Sequence, residues 1–389
     1  MNKKIVFTVT VLVLLALFIN LKISDEQVLE PIESSEGAIT IHNESESYEG
    51  LNFFNKRSVA DVTLMDNEGY IRHQWGPWNI SRRYNNPLML EGGDFVRIYV
   101  GNNITRYGYD SEIVWNNDLE EMGPHHDADM FGDKIVTYAW DAMELEYLND
   151  SIVFDEQITS ISKDSGEKES SFSLYSILED YPEIDMEEEI EGLLEKDLPQ
   201  FFAEDILRPF HANGIYFIDQ DFNENFREGT FLATLRNINT VALIDYEEQE
   251  VLWDWGQDVL DYPHDARMTD NGTMMVFDNG MDERNYSRVL EIDIETEEIV
   301  WSYNKEGDKD FHTRFMGGAQ PLPNGNVLIT ESMGGRAFEV NREGEKVWEF
   351  QKEGEYGEDH QGIFKMVRYS EECVEKVFRG EKTSSADCR

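Results

Sequence analysis

Basic residues are scarce in this chain: 33 lysines and arginines stand against 80 aspartates and glutamates, a formal net charge of −47 over 389 residues. A surface this acidic repels nucleic-acid phosphates and anionic headgroups, which excludes nucleic acid as a partner of the body and marks the excess as a solubilising surface. Cysteine is nearly absent. Cys373 and Cys388 are the two cysteines, both near the C-terminal end. They leave no room for a cysteine-based zinc site; in an oxidising compartment they could close the tail on itself, and two free thiols are the alternative. Composition is otherwise that of a folded chain, with 40% hydrophobic and 12% aromatic residues. The length allows two average domains or one large repeat-built domain.

Lys3 and Lys4 precede an uncharged run from Ile5 to Leu21 that is broken by two threonines and Asn20. At roughly 17 residues it is at the short end of a membrane-spanning helix. Basic residues before it and acidic ones after it put the N-terminus inside and the body outside. Leu17-Phe18-Ile19-Asn20-Leu21 lacks the small residues of a cleavage site, so residues 1–23 are expected to form an uncleaved signal anchor. Residues 24–50 are acidic and serine-rich and read as a tether. Asn-x-Ser/Thr triplets at Asn43, Asn79, Asn103, Asn149, Asn271 and Asn285 all lie beyond the anchor, where glycosylation is possible.

From 51 to 370 a short theme recurs, a turn followed by a strand carrying tryptophan: Trp75, Trp115, Trp253, Trp301 and Trp348. The last three are spaced by 48 and 47 residues, and Trp75 to Trp115 by 40. This period, with turns such as Asp270-Asn271-Gly272 and Pro323-Asn324-Gly325, predicts an all-β, six-bladed β-propeller. The sixth unit falls between Trp140 and His211, where Ile152 to Ile161 alternates and Lys168 to Leu174 returns after a turn. Helical spacing at Glu187–Leu194 and Phe201–Leu207 predicts a small helical insertion over 176–206. Residues 371–389 are left as a C-terminal tail.

Histidines recur at one phase of the repeat. Pro124-His125-His126-Asp127-Ala128 and Pro263-His264-Asp265-Ala266 each follow a tryptophan strand and precede an apolar one. Equivalent positions face the same end of a propeller channel, so His126 and His264 are expected to converge. Phe210-His211-Ala212-Asn213 supplies a third station, and Gln320 in Gly317-Gly318-Ala319-Gln320 occupies the corresponding place in another blade. The doublet leaves His125 and His126 both open as the partner. His42, His73, His312 and His360 are out of phase and read as surface residues. Metal binding by His126, Asp127 and Asp129 is a competing reading, opposed by neighbours on a strand pointing to opposite faces.

Taken in order, His211-Ala-Asn213, Thr234-Leu-Arg236-Asn, Pro263-His264-Asp-Ala, Val276-Phe-Asp-Asn-Gly280 and Gly318-Ala-Gln320-Pro resemble the arylsulfotransferase family over most of residues 110–350. The resemblance implies a six-bladed propeller that uses a transiently sulfurylated histidine and no nucleotide sulfate donor or other cofactor. On it, His264 matches the nucleophile, and His126, His211, Asn213 and Arg236 the groups that bind sulfuryl oxygens and assist proton transfer. The implied partners are small-molecule sulfate esters and phenols; the membrane partner, engaged through the anchor, comes from the N-terminal run and not from the resemblance. An acidic body needs a local basic funnel for such anions, for which Arg236, Arg267, Arg288 and Arg314 are candidates. A non-catalytic propeller that binds a ligand or protein, and a metal-dependent hydrolase, remain as alternatives.

Overall fold

The computed structural model describes residues 32–35, 37–56, 61–76, 86–101, 103–119, 123–145, 152–195, 208–307, 311–352, 362–382, 384 and 388. Six antiparallel sheets form the blades of a propeller. Their innermost strands are, from blade 1 to blade 6, Ile363–Tyr369, Leu88–Met89, Pro124–Phe131, Ala212–Phe217, Pro263–Met268 and Gly318–Pro321. The C-terminal strand Ile363–Tyr369 thus completes the sheet begun by Leu51–Lys56, Val62–Met65 and Tyr70–Trp75, which closes the ring.

The recurring tryptophan has a structural cause. It sits on the fourth strand of every blade except the third. Each indole donates its N–H to the next blade: Trp75 to Gly93 O (3.0 Å), Trp115 to Lys163 O (2.9 Å), Trp253 to Glu297 Oε1 (3.0 Å), Trp301 to Arg342 O (2.9 Å) and Trp348 to Asn67 O (2.9 Å). A large apolar body with one donor suits a seam that is greasy but ends in a polar acceptor, a backbone carbonyl for four of the indoles and the Glu297 carboxylate for Trp253. Blade 3 closes on blade 4 through rings instead, with Phe131 and Phe172 against Tyr246. This blade, Pro124–Phe131, Lys134–Glu144, Ile152–Ser162 and Lys168–Ser173, is the unit expected between Trp140 and His211.

The tether departs from expectation from Ile32 onward. Ile32–Ser35 adds an outer strand to blade 1, and Ala38–His42 does so on blade 6 by pairing with Lys346–Gln351. A fourth strand leaves its outer edge unpaired, and a short extended segment covers it. The helical insertion begins at Leu174–Glu179, capped by Ser173 Oγ, which accepts from Ser176 N, and continues as Met186–Glu195. Leu174, Leu178, Met186 and Ile190 pack into the core between blades 3 and 4. Phe201–Leu207 lies outside the described residues. The tail forms a helix, Glu371–Phe378, whose Val374, Val377 and Phe378 cover Trp75 and Phe95, and Cys373 is disulfide-bonded to Cys388. No helix among the described residues is long and apolar enough to cross a membrane, and the anchor expected over residues 1–23 falls outside them.

Candidate active site

The innermost strands of blades 3, 4 and 5 are each interrupted by a β-bulge, between His125 and Ala128, Ala212 and Gly214, and His264 and Arg267. An extra residue in one strand re-aims its side chain and often requires positive φ. His126 (φ 60°) and Asp265 (φ 52°) adopt it inside their bulges, and His211 (φ 48°) adopts it just before the bulged strand of blade 4. Such conformations cost of order 1–3 kcal/mol for non-glycine residues and persist where the surroundings over-determine them. Here the support is visible: Thr234 Oγ1 accepts from Ala266 N (3.2 Å), and Asp265 Oδ2 accepts from Ala319 N (3.2 Å). Gly318 permits the second contact, since a Cβ there would stand 2.5 Å from that carboxylate oxygen.

The bulges converge on a small cavity of about 60 Å³ at the centre of the ring, lined from five blades. Blade 3 contributes His126 and Asp127, blade 4 His211, Asn213 and Arg236, blade 5 His264 and Asp265, blade 6 Phe315 to Gly317, and blade 1 Phe364 and Lys365. Nε2 of His126 lies 2.7 Å from Nε2 of His211, so one ring donates and the other accepts. Asn213 Nδ2 donates to Pro263 O at 3.0 Å, tying blade 4 to the residue before His264.

His264 has a fixed tautomer. Asn279 Nδ2 donates to Thr313 O and Met316 O, both at 2.8 Å, so Asn279 Oδ1 faces Nδ1 of His264 at 2.7 Å and must accept. Nδ1 therefore carries the proton, and the lone pair of Nε2 accepts from Met316 N at 3.2 Å.

Electrostatics reinforce this state. Burial, followed by the Arg236 charge, lowers His264 to about 3. Burial and then Arg236 also hold His126 and His211 well below the usual imidazole value. Arg236 follows the strand Thr230–Leu235 on a 3₁₀ turn. Its Nε and one terminal nitrogen donate to Asn237 Oδ1 (3.0 and 2.9 Å), its guanidinium lies 5.4 Å from the Tyr262 ring centre, and no carboxylate is ion-paired to it among the described residues. Burial lowers it to about 10, where it stays charged at neutral pH. Neutral imidazoles beside a buried cation that no carboxylate contacts directly among the described residues make a site for an anion, and one with a nucleophilic nitrogen.

The structure brings together His126, His211, Asn213, Arg236 and His264. It separates Arg267 and Gln320 from them. Both line a larger cavity of about 450 Å³ at the other end of the innermost strands, where Arg267 pairs with Asp265 (2.9 Å) and Gln320 hydrogen-bonds the Arg368 backbone. Arg288 is paired with Asp278, and Arg314 is exposed. Histidine register shifts by one: Pro124-His125 pairs across its blade as Pro263-His264 does, so His125 is the structural counterpart of His264, and His126 that of Asp265. His125 stacks on Trp140 (4.4 Å between centres) instead of lining the cavity. Asp129 accepts from Phe217 N at 2.7 Å, and no three of the described His, Cys, Asp or Glu residues are grouped to hold a metal. His73 is not a surface residue but stacks on Tyr109. Sequence reasoning missed Asn279, which lies inside a quoted motif without an assigned role, and Lys365, which nothing local marks.

Residues 86–353 match the family model of arylsulfotransferase (ASST). No curated protein matches the chain. Among solved structures, a protein of unknown function from Bacteroides caccae is similar over 82% of this chain and 99% of its own, at 15% identity and a TM-score of 0.53. A streptogramin B lyase is similar over 87% and 96%, at 13% identity and a TM-score of 0.47. The first is a likeness of fold, and the second is too loose to carry an argument.

Proposed function

Because the chain belongs to the arylsulfotransferase family, we propose that it moves a sulfuryl group from an aryl sulfate ester to a phenol through a sulfurylated His264, with no nucleotide sulfate donor. The observation that carries this reading is the tautomer of His264, a residue that lines the cavity: its proton is held on Nδ1 by Asn279, which leaves Nε2 as the ring's basic nitrogen, accepting from Met316 N.

In the first half-reaction Nε2 attacks sulfur in line, and the bond from sulfur to the aryl oxygen breaks with its electron pair leaving on that oxygen. The ring becomes an N-sulfoimidazolium that keeps its Nδ1 proton, and Asn279 Oδ1 stabilises the new positive charge. Splitting one transfer into two is the advantage of a covalent carrier. Arg236 meets the charge spread over the sulfuryl oxygens, in a site dry enough to make a fixed cation effective. As sulfur approaches, the Met316 N–H leaves Nε2 and turns to a sulfuryl oxygen. The bound donor's negative charge draws a proton onto the His126–His211 pair, the pair gives it to the departing phenoxide, and the acceptor phenol later returns it. Protons balance over the cycle.

We place the propeller outside the membrane behind an N-terminal anchor. Lys3, Lys4 and the apolar run support the orientation, and the Cys373–Cys388 pair suits an oxidising compartment.

The test is a chromogenic aryl sulfate with and without a phenol, followed by peptide mass analysis after brief exposure to donor alone. Phenol-stimulated release and an acid-labile sulfuryl mass on the His264 peptide are expected. Release with no such mass on any histidine peptide sinks the covalent route.

A further inference from the structure

Lys365 lies on Ile363–Tyr369, beyond the residues that match the family. Its ammonium sits at the cavity wall between two carboxylates, 3.0 Å from Asp127 Oδ2 and 2.9 Å from Asp265 Oδ1. Asp265 Oδ1 also accepts from Arg267 Nε at 2.9 Å. Two carboxylates and two cations form a neutral quartet with little access to water. Taking away Lys365 would leave it with a net negative charge, in the wall of a cavity whose other fixed charge is Arg236.

The charged and titratable groups lining the cavity around His264 are His126 and Asp127 from blade 3, His211 and Arg236 from blade 4, Asp265 from its own blade, and Lys365 from blade 1. Blade 6 adds none. Within this set the carboxylates are the groups that repel an anion and favour a protonated imidazole, and Lys365 alone touches both.

We propose that Lys365 is an electrostatic positioning residue of this site, cancelling Asp127 and Asp265 so that Arg236 sets the charge an anion meets and His264 remains a neutral nucleophile. The inference rests on the sulfuryl-transfer reading. It acts through the two aspartates and requires no contact between Lys365 and substrate. Burial pushes the Asp127 carboxyl up against the pull of Lys365. At Asp265, Arg267 and Lys365 together outweigh burial and hold the carboxyl below its usual value.

The test uses the folded, full chain and two readouts that need no turnover: binding of inorganic sulfate by calorimetry, and protonation of His264 followed by histidine-selective NMR. Lys365→Met should weaken sulfate binding by about tenfold or more and move His264 protonation to higher pH, by Coulomb interaction across a few ångströms of partly dry protein. Asp127→Asn, which keeps Lys365, should do the opposite. Lys365→Met/Asp127→Asn should return both readouts most of the way, a rescue that loss of packing alone would not give. Unchanged readouts in Lys365→Met, no rescue in the double variant, or weaker binding in Asp127→Asn overturns the proposal. If Lys365→Met does not fold, Asp127→Asn still decides the sign. Failure of the sulfuryl-histidine reading registers separately, as transfer that survives His264→Asn.

Discussion

Nδ1 of His264 stands 2.7 Å from Oδ1 of Asn279, whose own amide nitrogen is spent on the carbonyls of Thr313 and Met316. The side chain is thereby barred from flipping, and the imidazole from changing tautomer. Asn279→Leu should lower kcat about 10²-fold, the scale on which losing a ligand-orienting partner acts elsewhere. KM for the donor should change little, since Asn279 does not line the cavity. Steady-state kinetics separate the two constants, and a rise in KM alone would contradict the role.

Arg236 should behave differently, because it stabilises charge rather than forming a bond. Arg236→Ala is expected to slow both half-reactions by about 10²–10³ while still allowing slow sulfurylation, whereas His264→Ala abolishes it. Single-turnover mixing with donor alone measures this, and equal loss in the two variants would remove the distinction.

The acid response of stability carries a further signature. His264 has a folded value of about 3, below the roughly 6.5 of an unfolded histidine. Above pH 6.5 it is neutral in both states. Below that the unfolded chain binds the proton and the native state does not, which costs the native state about 1.4 kcal/mol per pH unit until about pH 3. His264→Asn is free of this cost, so between pH 7 and pH 5 its stability relative to the unaltered protein should rise by about 2 kcal/mol. Urea unfolding at the two pH values reads the difference. A constant difference would mean that water reaches the ring.

The proposed compartment is tested on intact cells. Added protease should remove the propeller, and alkylation of the unreduced, denatured protein should label neither Cys373 nor Cys388. Resistance to protease until lysis would reverse the orientation.

Blade number was legible from residues alone because the seam between blades asks for an indole at the same place each time. Trp75, Trp115, Trp253, Trp301 and Trp348 mark that place at near-regular spacing, and the blade without one still showed its alternating strands. Histidine register was not legible. The bulge in blade 3 puts His126, not His125, at positive φ, and nothing in His125-His126 says which ring turns inward. Arg267 and Gln320 fall outside the small cavity, which phase along a repeat could not show because it does not reveal which end of a strand a side chain serves. Past its bulge, Arg267 belongs to the opposite cavity. Lys365 was invisible for another reason. It meets Asp127 across 238 residues of sequence, and only ring closure brings the two together. In the tether, acidity masked the short alternation of Ala38-Ile-Thr-Ile-His42, which an unpaired strand edge was enough to recruit.

That the innermost strand of blade 1 is Ile363–Tyr369 has a consequence for biosynthesis. Chains emerge from the ribosome N-terminus first, so the strands of blade 1 from Leu51 to Trp75 must wait through the making of nearly all the others before their partner arrives. Until then Leu51–Lys56 presents an open strand edge, the kind of surface that recruits other chains. A nascent or truncated chain ending before residue 363 lacks the lysine of the cavity wall as well as the latch. Completion of the ring and completion of the pocket are therefore a single late event, and partial products are expected to aggregate rather than to work slowly.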